Sequence, residues 1–130
     1  MESYQGIIFD CDQMVSESSI PDEFALTSKN GQFSFVMQTD GNLVLYKYPG
    51  KKPIWSTGTY GKGSAPYKMK LQNDGNIVLF DGRKFITWSS GTAGKGILPY
   101  KLTMQEDGNL VLRDGNNQIF WATWTKQSQN

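Results

Sequence analysis

One set of polar residues occurs three times along the chain with the same internal spacing. Each copy reads Gln-x-Asp-Gly-Asn-x-Val, and the copies begin at Gln38, Gln72 and Gln105. The two amides both donate and accept hydrogen bonds, and the carboxylate accepts them from hydroxyl groups. The valine offers a small apolar surface. Because no member is a nucleophile or a tuned acid, the set suits the binding of a polyhydroxylated ligand such as a sugar.

Turn chemistry alone explains only part of this pattern. Asp-Gly-Asn is a favoured turn sequence in any β-protein, but that preference does not explain the glutamine before each turn or the valine after it. The candidate binding residues are therefore Gln38, Asp40, Asn42, Val44 and Tyr46 in the first copy, Gln72, Asp74, Asn76, Val78 and Phe80 in the second, and Gln105, Asp107, Asn109 and Val111 in the third.

The copies belong to a longer repeat that predicts an all-β protein. Trp55, Trp88 and Trp121 recur every 33 residues, in phase with the polar set. We place units at about 24–57, 58–90 and 91–125 within one domain spanning 1–130. Apolar and polar residues alternate with period two, and Gly and Pro interrupt the chain often, as in short strands. At about 5–6 residues per strand, four strands fit each unit.

The register of each hairpin decides which face the polar residues occupy. A two-residue loop would place Gln38 and Asn42 on different faces, whereas a three-residue loop at 39–41 pairs them. Gly41 suits the left-handed position that closes a three-residue loop, and this register also separates apolar from polar residues. The inner face is then Phe33, Phe35, Met37, Leu43 and Leu45, with Tyr67, Met69, Leu71, Ile77 and Leu79, and Tyr100, Leu102, Met104, Leu110 and Leu112, in the other units.

The amino-acid composition argues against several other classes of function. Lys and Arg total 13 against 12 Asp and Glu, a balance without the basic excess typical of nucleic-acid binding. Histidine is absent and Cys11 is the only cysteine, so the commonest general base and any intrachain disulfide are missing. We expect neither a secretory leader nor a membrane span, because the sequence has no recognisable leader pattern and no apolar run of about 20 residues.

The three polar sets resemble the signature of the bulb-type, snowdrop-like mannose-specific lectins, Gln-x-Asp-x-Asn-x-Val-x-Tyr. The first copy matches at every defined position; Phe80 replaces the tyrosine in the second, and Arg113 replaces it in the third. The resemblance covers about 100 residues and implies a β-prism II fold, with three four-stranded antiparallel sheets around a pseudo-threefold axis. It also implies that Trp55, Trp88 and Trp121 lie at that axis as core residues.

The same resemblance implies a role for each position. The aspartate contacts the axial O2 of mannose, the glutamine O3, the asparagine and the tyrosine hydroxyl O4, and the valine C3 and C4. Phe80 then predicts a weaker second site, and Arg113 either donates to the sugar or blocks the third. No metal, cofactor or enzymatic activity is expected.

Assembly and location are also expectations from the resemblance. Family members exchange C-terminal strands, so residues 118–125 predict a homodimer, the alternative being that they close their own sheet. Plant members commonly have a disulfide across the first hairpin; this chain lacks that cysteine pair and in this respect resembles the fish skin-mucus members. This similarity suggests a surface-defence lectin that reaches the extracellular space without a signal peptide. A cytoplasmic location is the alternative.

Other functions fit less well. Gly61-Lys-Gly and Gly94-Lys-Gly do not follow the phosphate-loop pattern, and Asp-Gly-Asn supplies too few carboxylates for a calcium loop. A glycosidase needs two facing carboxylates, which motifs on separate sheets would not supply. The rival function is a β-prism scaffold that binds a protein through loops 58–66 and 91–99. Residues 1–23 lie outside the repeat, and Tyr4, Ile7, Ile8 and Phe9 could add a strand to the third sheet.

Overall fold

The structure is a computed structural model that describes residues 11–128. Within that range it has twelve strands and no helix, so no described helix is available to cross a membrane. The strands are β1 (Gln13–Val15), β2 (Ser19–Pro21), β3 (Ala25–Thr27), β4 (Phe33–Met37), β5 (Leu43–Lys47), β6 (Lys52–Ser56), β7 (Lys68–Leu71), β8 (Ile77–Phe80), β9 (Ile86–Ser89), β10 (Lys101–Met104), β11 (Leu110–Arg113) and β12 (Ile119–Ala122).

The strands form three antiparallel four-stranded sheets, as predicted. The first sheet has the order β3-β4-β5-β6, the second β2-β7-β8-β9 and the third β1-β10-β11-β12. The predicted inner faces are confirmed, because all fifteen residues named for them are at most 4% exposed and belong to one apolar cluster. The three tryptophans meet at the centre, with ring centroids 5.9, 5.9 and 6.0 Å apart and edge-to-face packing. They are core residues, as expected.

The expectation of four strands within every unit is wrong for the second and third units. Each contains three strands, and its fourth comes from the segment before the repeat: β2 pairs with β7, and β1 pairs with β10. The reason is that residues 58–66 and 91–99 are occupied by loops rich in Gly and Pro. The strand that completes the third sheet is therefore Gln13–Val15; Tyr4, Ile7, Ile8 and Phe9 lie outside the described residues.

The N-terminal segment supplies one strand to each sheet in turn. The middle residues of β1, β2 and β3 are Met14, Ile20 and Leu26, spaced six apart and all at most 1% exposed. Each points into the shared core, while its neighbours on the strand do not. This short segment therefore ties the three sheets together through apolar burial.

Candidate functional site

The three polar motifs lie in hairpin turns of the same geometry. The Gln38 backbone N–H donates to the Asn42 carbonyl at 3.0 Å, and the Gly41 N–H donates to the Gln38 carbonyl at 3.2 Å. Gly41 has a φ of +92°, a left-handed conformation that glycine adopts without steric cost. The turns at 72–76 and 105–109 repeat both hydrogen bonds. The predicted three-residue loop is confirmed, and it places the glutamine and the asparagine on the same outer face.

The aspartate of each motif shapes its own turn. Asp40 Oδ1 accepts the Asn42 backbone N–H at 2.9 Å, and Asp74 and Asp107 accept the corresponding bonds at 2.9 and 3.0 Å. This Asx-type interaction fixes the carboxylate. The second oxygen, Oδ2, keeps acceptor capacity for a hydroxyl group.

The asparagine amide is oriented by threonines that we did not predict to belong to the site. Asn42 Oδ1 accepts the Thr59 backbone N–H and the Thr57 hydroxyl, each at 3.1 Å. Because a backbone N–H only donates, the oxygen of the amide must face Thr59. Asn42 Nδ2 therefore points away from these threonines, and it has no hydrogen-bond partner among residues 11–128. It is available as a donor to a ligand.

The same hydrogen bonds to the asparagine oxygen, which we call the asparagine clamp, recur in the other units. Asn76 Oδ1 accepts from the Thr92 N–H at 3.2 Å and the Ser90 hydroxyl at 3.0 Å, and Asn109 Oδ1 accepts from the Thr125 N–H at 3.2 Å. The signal in the sequence is a Ser/Thr-x-Thr that begins two residues after each repeated tryptophan: Thr57-Gly-Thr59, Ser90-Gly-Thr92 and Thr123-Trp-Thr125.

The first motif has the most complete hydrogen-bond network. The Tyr46 hydroxyl donates to Gln38 Oε1 at 2.8 Å, and Gln38 Nε2 donates to Asp40 Oδ2 at 3.2 Å. The network joins four of the five predicted residues on one surface. Tyr46 is also covered by Lys51, whose Nζ lies 5.2 Å from the ring centroid.

The second and third motifs have weaker networks. In the second, Phe80 has no hydroxyl, and the Gln72 side chain makes no hydrogen bond to any described residue. In the third, Gln105 Nε2 lies 3.3 and 3.4 Å from the two oxygens of Asp107. The Arg113 side chain makes no hydrogen bond or ion pair with the part of the chain that the structure describes.

The motif valines are more buried than the sequence suggested. Val44, Val78 and Val111 lie on the outer face, yet their exposed fractions are only 4%, 1% and 1%. They form the floor beneath the polar side chains, so each offers a ligand only a small apolar area.

Clefts extend from the first two motifs across the outer faces of their sheets. The cleft on the first sheet has a volume of about 360 Å³, and its lining includes Gln38 and Tyr46. The cleft on the second sheet has a volume of about 510 Å³, and its lining includes Gln72 and Phe80. The aspartate and asparagine of each motif lie outside these linings, at the hairpin end of the site.

Two further aspartates anchor the long loops. Asp81 is 6% exposed; burial acts to raise the pKa of its carboxyl, but backbone N–H donors from Phe85, Ser64 and Arg83 lower that pKa overall. The Gln118 backbone N–H, with those of Ile97 and Asn116, likewise lowers the pKa of Asp114 against the effect of burial. The bonds from Ser64 and Ile97 tie loops 58–66 and 91–99 to their own sheets. Nowhere in residues 11–128 do three or more Cys, Asp or Glu side chains gather as metal ligands would.

Proteins of similar sequence are lectins. The chain is 42% identical over 67 residues to a mannose-specific lectin of Narcissus pseudonarcissus, a match that covers 52% of this chain and 56% of the relative. It is 40% identical over 58 residues to the fish B-type lectin plumieribetin of Scorpaena plumieri, covering 45% and 47%. The aligned region thus spans about half the length of these curated relatives. No family model matches the chain.

Solved structures extend the similarity over most of the chain. A monomeric monocot mannose-binding lectin from Gastrodia elata superimposes with a TM-score of 0.80 at 34% identity, covering 89% of this chain and 99% of the other. The mannose-specific agglutinin of snowdrop, Galanthus nivalis, solved with methyl α-D-mannoside, gives 0.71 at 34% identity, covering 90% and 99%. The β-prism II fold and the expectation of a non-enzymatic protein are thereby confirmed, because lectins bind carbohydrate without transforming it. The protein belongs to the bulb-type, snowdrop-like lectin family.

Proposed function

We propose that this protein binds terminal mannose on glycans, and that the first motif is its strongest site. The observation that supports this most directly is the network of Tyr46, Gln38 and Asp40, together with the Asn42 amide whose Nδ2 faces outward. It presents a charged acceptor and neutral donors on one rigid surface. Adjacent hydroxyls of a sugar ring match such an alternation, since each hydroxyl both donates and accepts.

The family relationship suggests how each group acts in this proposal. Asp40 accepts from the axial O2, which distinguishes mannose from glucose, and Gln38 reaches O3. Asn42 Nδ2 and the Tyr46 hydroxyl reach O4. A hydrogen bond to a charged group contributes about 1.5–3 kcal/mol and a neutral one about 0.5–1.5 kcal/mol. Asp40 therefore provides most of the discrimination.

Up to three sites per chain are part of the proposal. A shallow monosaccharide site binds in the millimolar range, about −4 kcal/mol. Several sites on one rigid body raise avidity about 10²–10⁴-fold on a glycan-covered surface. Such multivalent binding would allow glycan crosslinking and a surface-defence role.

Calorimetry with methyl α-mannoside and methyl α-glucoside, in EDTA, tests sugar binding and its metal independence. Asp40→Asn is the informative variant, because it keeps an oxygen for the Asn42 N–H while removing the charged acceptor. We expect wild type to prefer mannoside and Asp40→Asn to lose about tenfold or more in affinity. Asp12→Asn is the matched control, since the Asp12 carboxylate accepts no hydrogen bond from the described residues.

Two results would contradict the proposal. One is the absence of binding heat for either sugar at millimolar concentration; the other is equal binding by wild type and Asp40→Asn. Either would favour the rival function, in which a protein partner binds loops 58–66 and 91–99. Those loops expose the large side chains of Tyr60, Ile97 and Leu98.

A homodimer formed by exchange of residues 118–125 remains a proposal. Within the single chain, β12 pairs with β11, which is the alternative that we left open. Light scattering coupled to gel filtration distinguishes the two: a dimer mass supports exchange, and a monomer mass at micromolar concentration opposes it. An extracellular, mucus-like location is likewise proposed, and fractionation of secretions and cytosol with a specific antibody tests it.

A further inference from the structure

The three sheets differ in charge at equivalent positions on their outer faces. In each sheet the last residue of the motif stands directly opposite one residue of the preceding strand. These cross-strand pairs are Ser34 with Tyr46, Lys68 with Phe80, and Lys101 with Arg113. The first pair is uncharged, the second has one cation and the third has two.

Among these cross-strand pairs, only the one in the third sheet leaves its cations without a partner in the described residues. In the second sheet, Lys68 Nζ lies 6.0 Å from the centroid of the Phe80 ring, and Lys70 forms an ion pair with Glu17 at 3.1 Å. In the third sheet, Lys101 and Arg113 face each other across the strands, where like charges destabilise a sheet. Within residues 11–128 neither side chain forms an ion pair or a hydrogen bond.

Within the described strands of this face, no acidic side chain lies beside the two charges. Two rows of cross-strand partners cross the outer face of the third sheet: Val15, Lys101, Arg113 and Ile119 in one, and Gln13, Thr103, Val111 and Ala122 in the other. Neither row contains a carboxylate. Asp114 follows Arg113 in sequence, but its oxygens accept backbone N–H groups from Ile97, Asn116 and Gln118.

Arg113 also lies at the position from which a side chain reaches the binding residues. The equivalent Tyr46 donates to Gln38 at 2.8 Å, and both residues occupy the same register relative to their hairpin turns. A guanidinium group there presents several N–H donors in a planar fork, which matches a carboxylate, sulfate or phosphate. Asp107 lies at the opposite, hairpin end of the site, so hydroxyl binding and anion binding are spatially separated.

We propose that the third motif binds an acidic saccharide. Its hydroxyl groups contact Asp107 and the outward Nδ2 of Asn109, and its anionic group binds Arg113 and Lys101. The hydroxyl contacts rest on the function proposed above, whereas the anion contacts rest on the charge arrangement of the third sheet. The chain then combines a neutral-sugar site on its first sheet with an acidic-sugar site on its third.

A nitrogen-15 NMR titration resolves the sites individually. The probes are mannose 6-phosphate, glucuronate and methyl α-mannoside, with sodium sulfate as the bare anion. We expect at least one acidic sugar to shift the Asn109 and Arg113 signals at roughly tenfold lower concentration than methyl α-mannoside does. Raising the salt concentration should weaken that response, because the anion contacts are solvent-accessible.

A double variant converts the third site into a copy of the first. Lys101→Ser with Arg113→Tyr reproduces Ser34 and Tyr46, and it should lose the preference for acidic sugars by about tenfold or more. Lys29→Ser with Lys62→Ser removes the same charge from exposed positions elsewhere and should leave the preference intact. An equal loss in this control would overturn the proposal, as would sulfate alone binding as tightly as the acidic sugars.

The two proposals fail separately. If methyl α-mannoside does not shift Asn42 while acidic sugars still shift Asn109, the neutral-sugar function is wrong and the acidic site stands. If Asn42 responds to mannoside and neither acidic sugar shifts Asn109 more readily than mannoside does, the acidic site is wrong.

Discussion

At the scale of single residues, the first and second motifs differ by the hydroxyl group of their last residue. Tyr46 and Phe80 occupy the same register in the first and second sheets, opposite Ser34 and Lys68. Tyr46 donates to the motif glutamine, whereas Phe80 has no group to donate. The second motif keeps its aspartate, its asparagine and the asparagine clamp, so this hydroxyl is the principal polar group that it lacks.

Exchanging these two residues should move affinity between the sites. Tyr46→Phe should weaken mannoside binding at the first site, and Phe80→Tyr should strengthen it at the second, each by about 0.5–1.5 kcal/mol, the contribution of a neutral hydrogen bond. Titrations that follow the backbone amides of Asn42 and Asn76 measure the two sites in one sample. If Phe80→Tyr leaves the Asn76 response unchanged, the hydroxyl is not what limits the second site.

At the scale of elements, each motif turn packs against the next unit. A Cβ added to Gly41 would lie 2.8 Å from Tyr67 Cζ, one added to Gly75 would lie 2.9 Å from Tyr100, and one added to Gly108 would lie 2.8 Å from Phe33. These contacts run from unit to unit and close the ring at Phe33. Each binding turn is thus held by an aromatic side chain of a neighbouring sheet.

Gly41→Ala should destabilise the fold for two separable reasons. Its φ of +92° disfavours any side chain, and the new Cβ would collide with Tyr67. Gly50→Ala is the control, because Gly50 has a φ of +96° with no atom within 4 Å of the added Cβ. Denaturant unfolding should give a loss of about 1–2 kcal/mol for Gly50→Ala and a larger loss for Gly41→Ala. Equal losses would mean that the contact with Tyr67 contributes nothing.

Asp81 and Asp114, which anchor the long loops, should make the fold less stable at acid pH. The folded-state pKa values of Asp81 and Asp114 are lowered, so the folded protein binds fewer protons than the unfolded chain, whose Asp pKa is about 3.9. Their contribution is present above that value and is lost as pH falls through the lower folded-state pKa. The melting temperature should therefore drop below about pH 4. Asp114→Asn should lower the melting temperature at neutral pH and make its fall at acid pH less steep. Asp12→Asn should do neither. If Asp114→Asn leaves the acid dependence of the melting temperature unchanged, Asp114 does not contribute to it.

At the scale of the whole molecule, two short segments join the sheets. The N-terminal segment gives one strand to each sheet, in the order third, second, first. At the other end, the Gln127 N–H donates to the Asp107 carbonyl, and Lys47 Nζ donates to Gln127 Oε1 at 3.1 Å. The third and first sheets are thereby linked by the C-terminal tail, and the central tryptophans contact one another across all three.

Loss of one apolar side chain in the N-terminal segment should therefore destabilise the whole fold. Ile20 is fully buried in the centre of β2, and Ile20→Ala should cost about 2–5 kcal/mol because it leaves a cavity in the shared core. Val15→Ala on β1 is the control, since Val15 is 47% exposed, and it should change stability by less than about 1 kcal/mol. A single cooperative transition lowered only by Ile20→Ala is the expected calorimetric result; similar melting of the two variants would contradict it.

The sequence by itself determined the class of fold, the register of the hairpins and the composition of each motif. These properties follow from local rules: period-two alternation fixes which residues face inward, and the glycine in each turn fixes the loop length. The axial tryptophans were also predictable, because the resemblance to bulb-type lectins places them at the pseudo-threefold axis.

Only the tertiary structure decided which segments complete the sheets and which groups remain free. Strands of three residues such as Gln13–Val15 have too few alternating positions to be recognised from periodicity, and their pairing with β10 joins residues about 90 apart in the chain. The orientation of Asn42 depends on Thr57 and Thr59, which the chain brings back to the turn from the end of the next strand. The isolation of Lys101 and Arg113 likewise depends on what the neighbouring strands place beside them, because a charge is satisfied or left free by its neighbours in space.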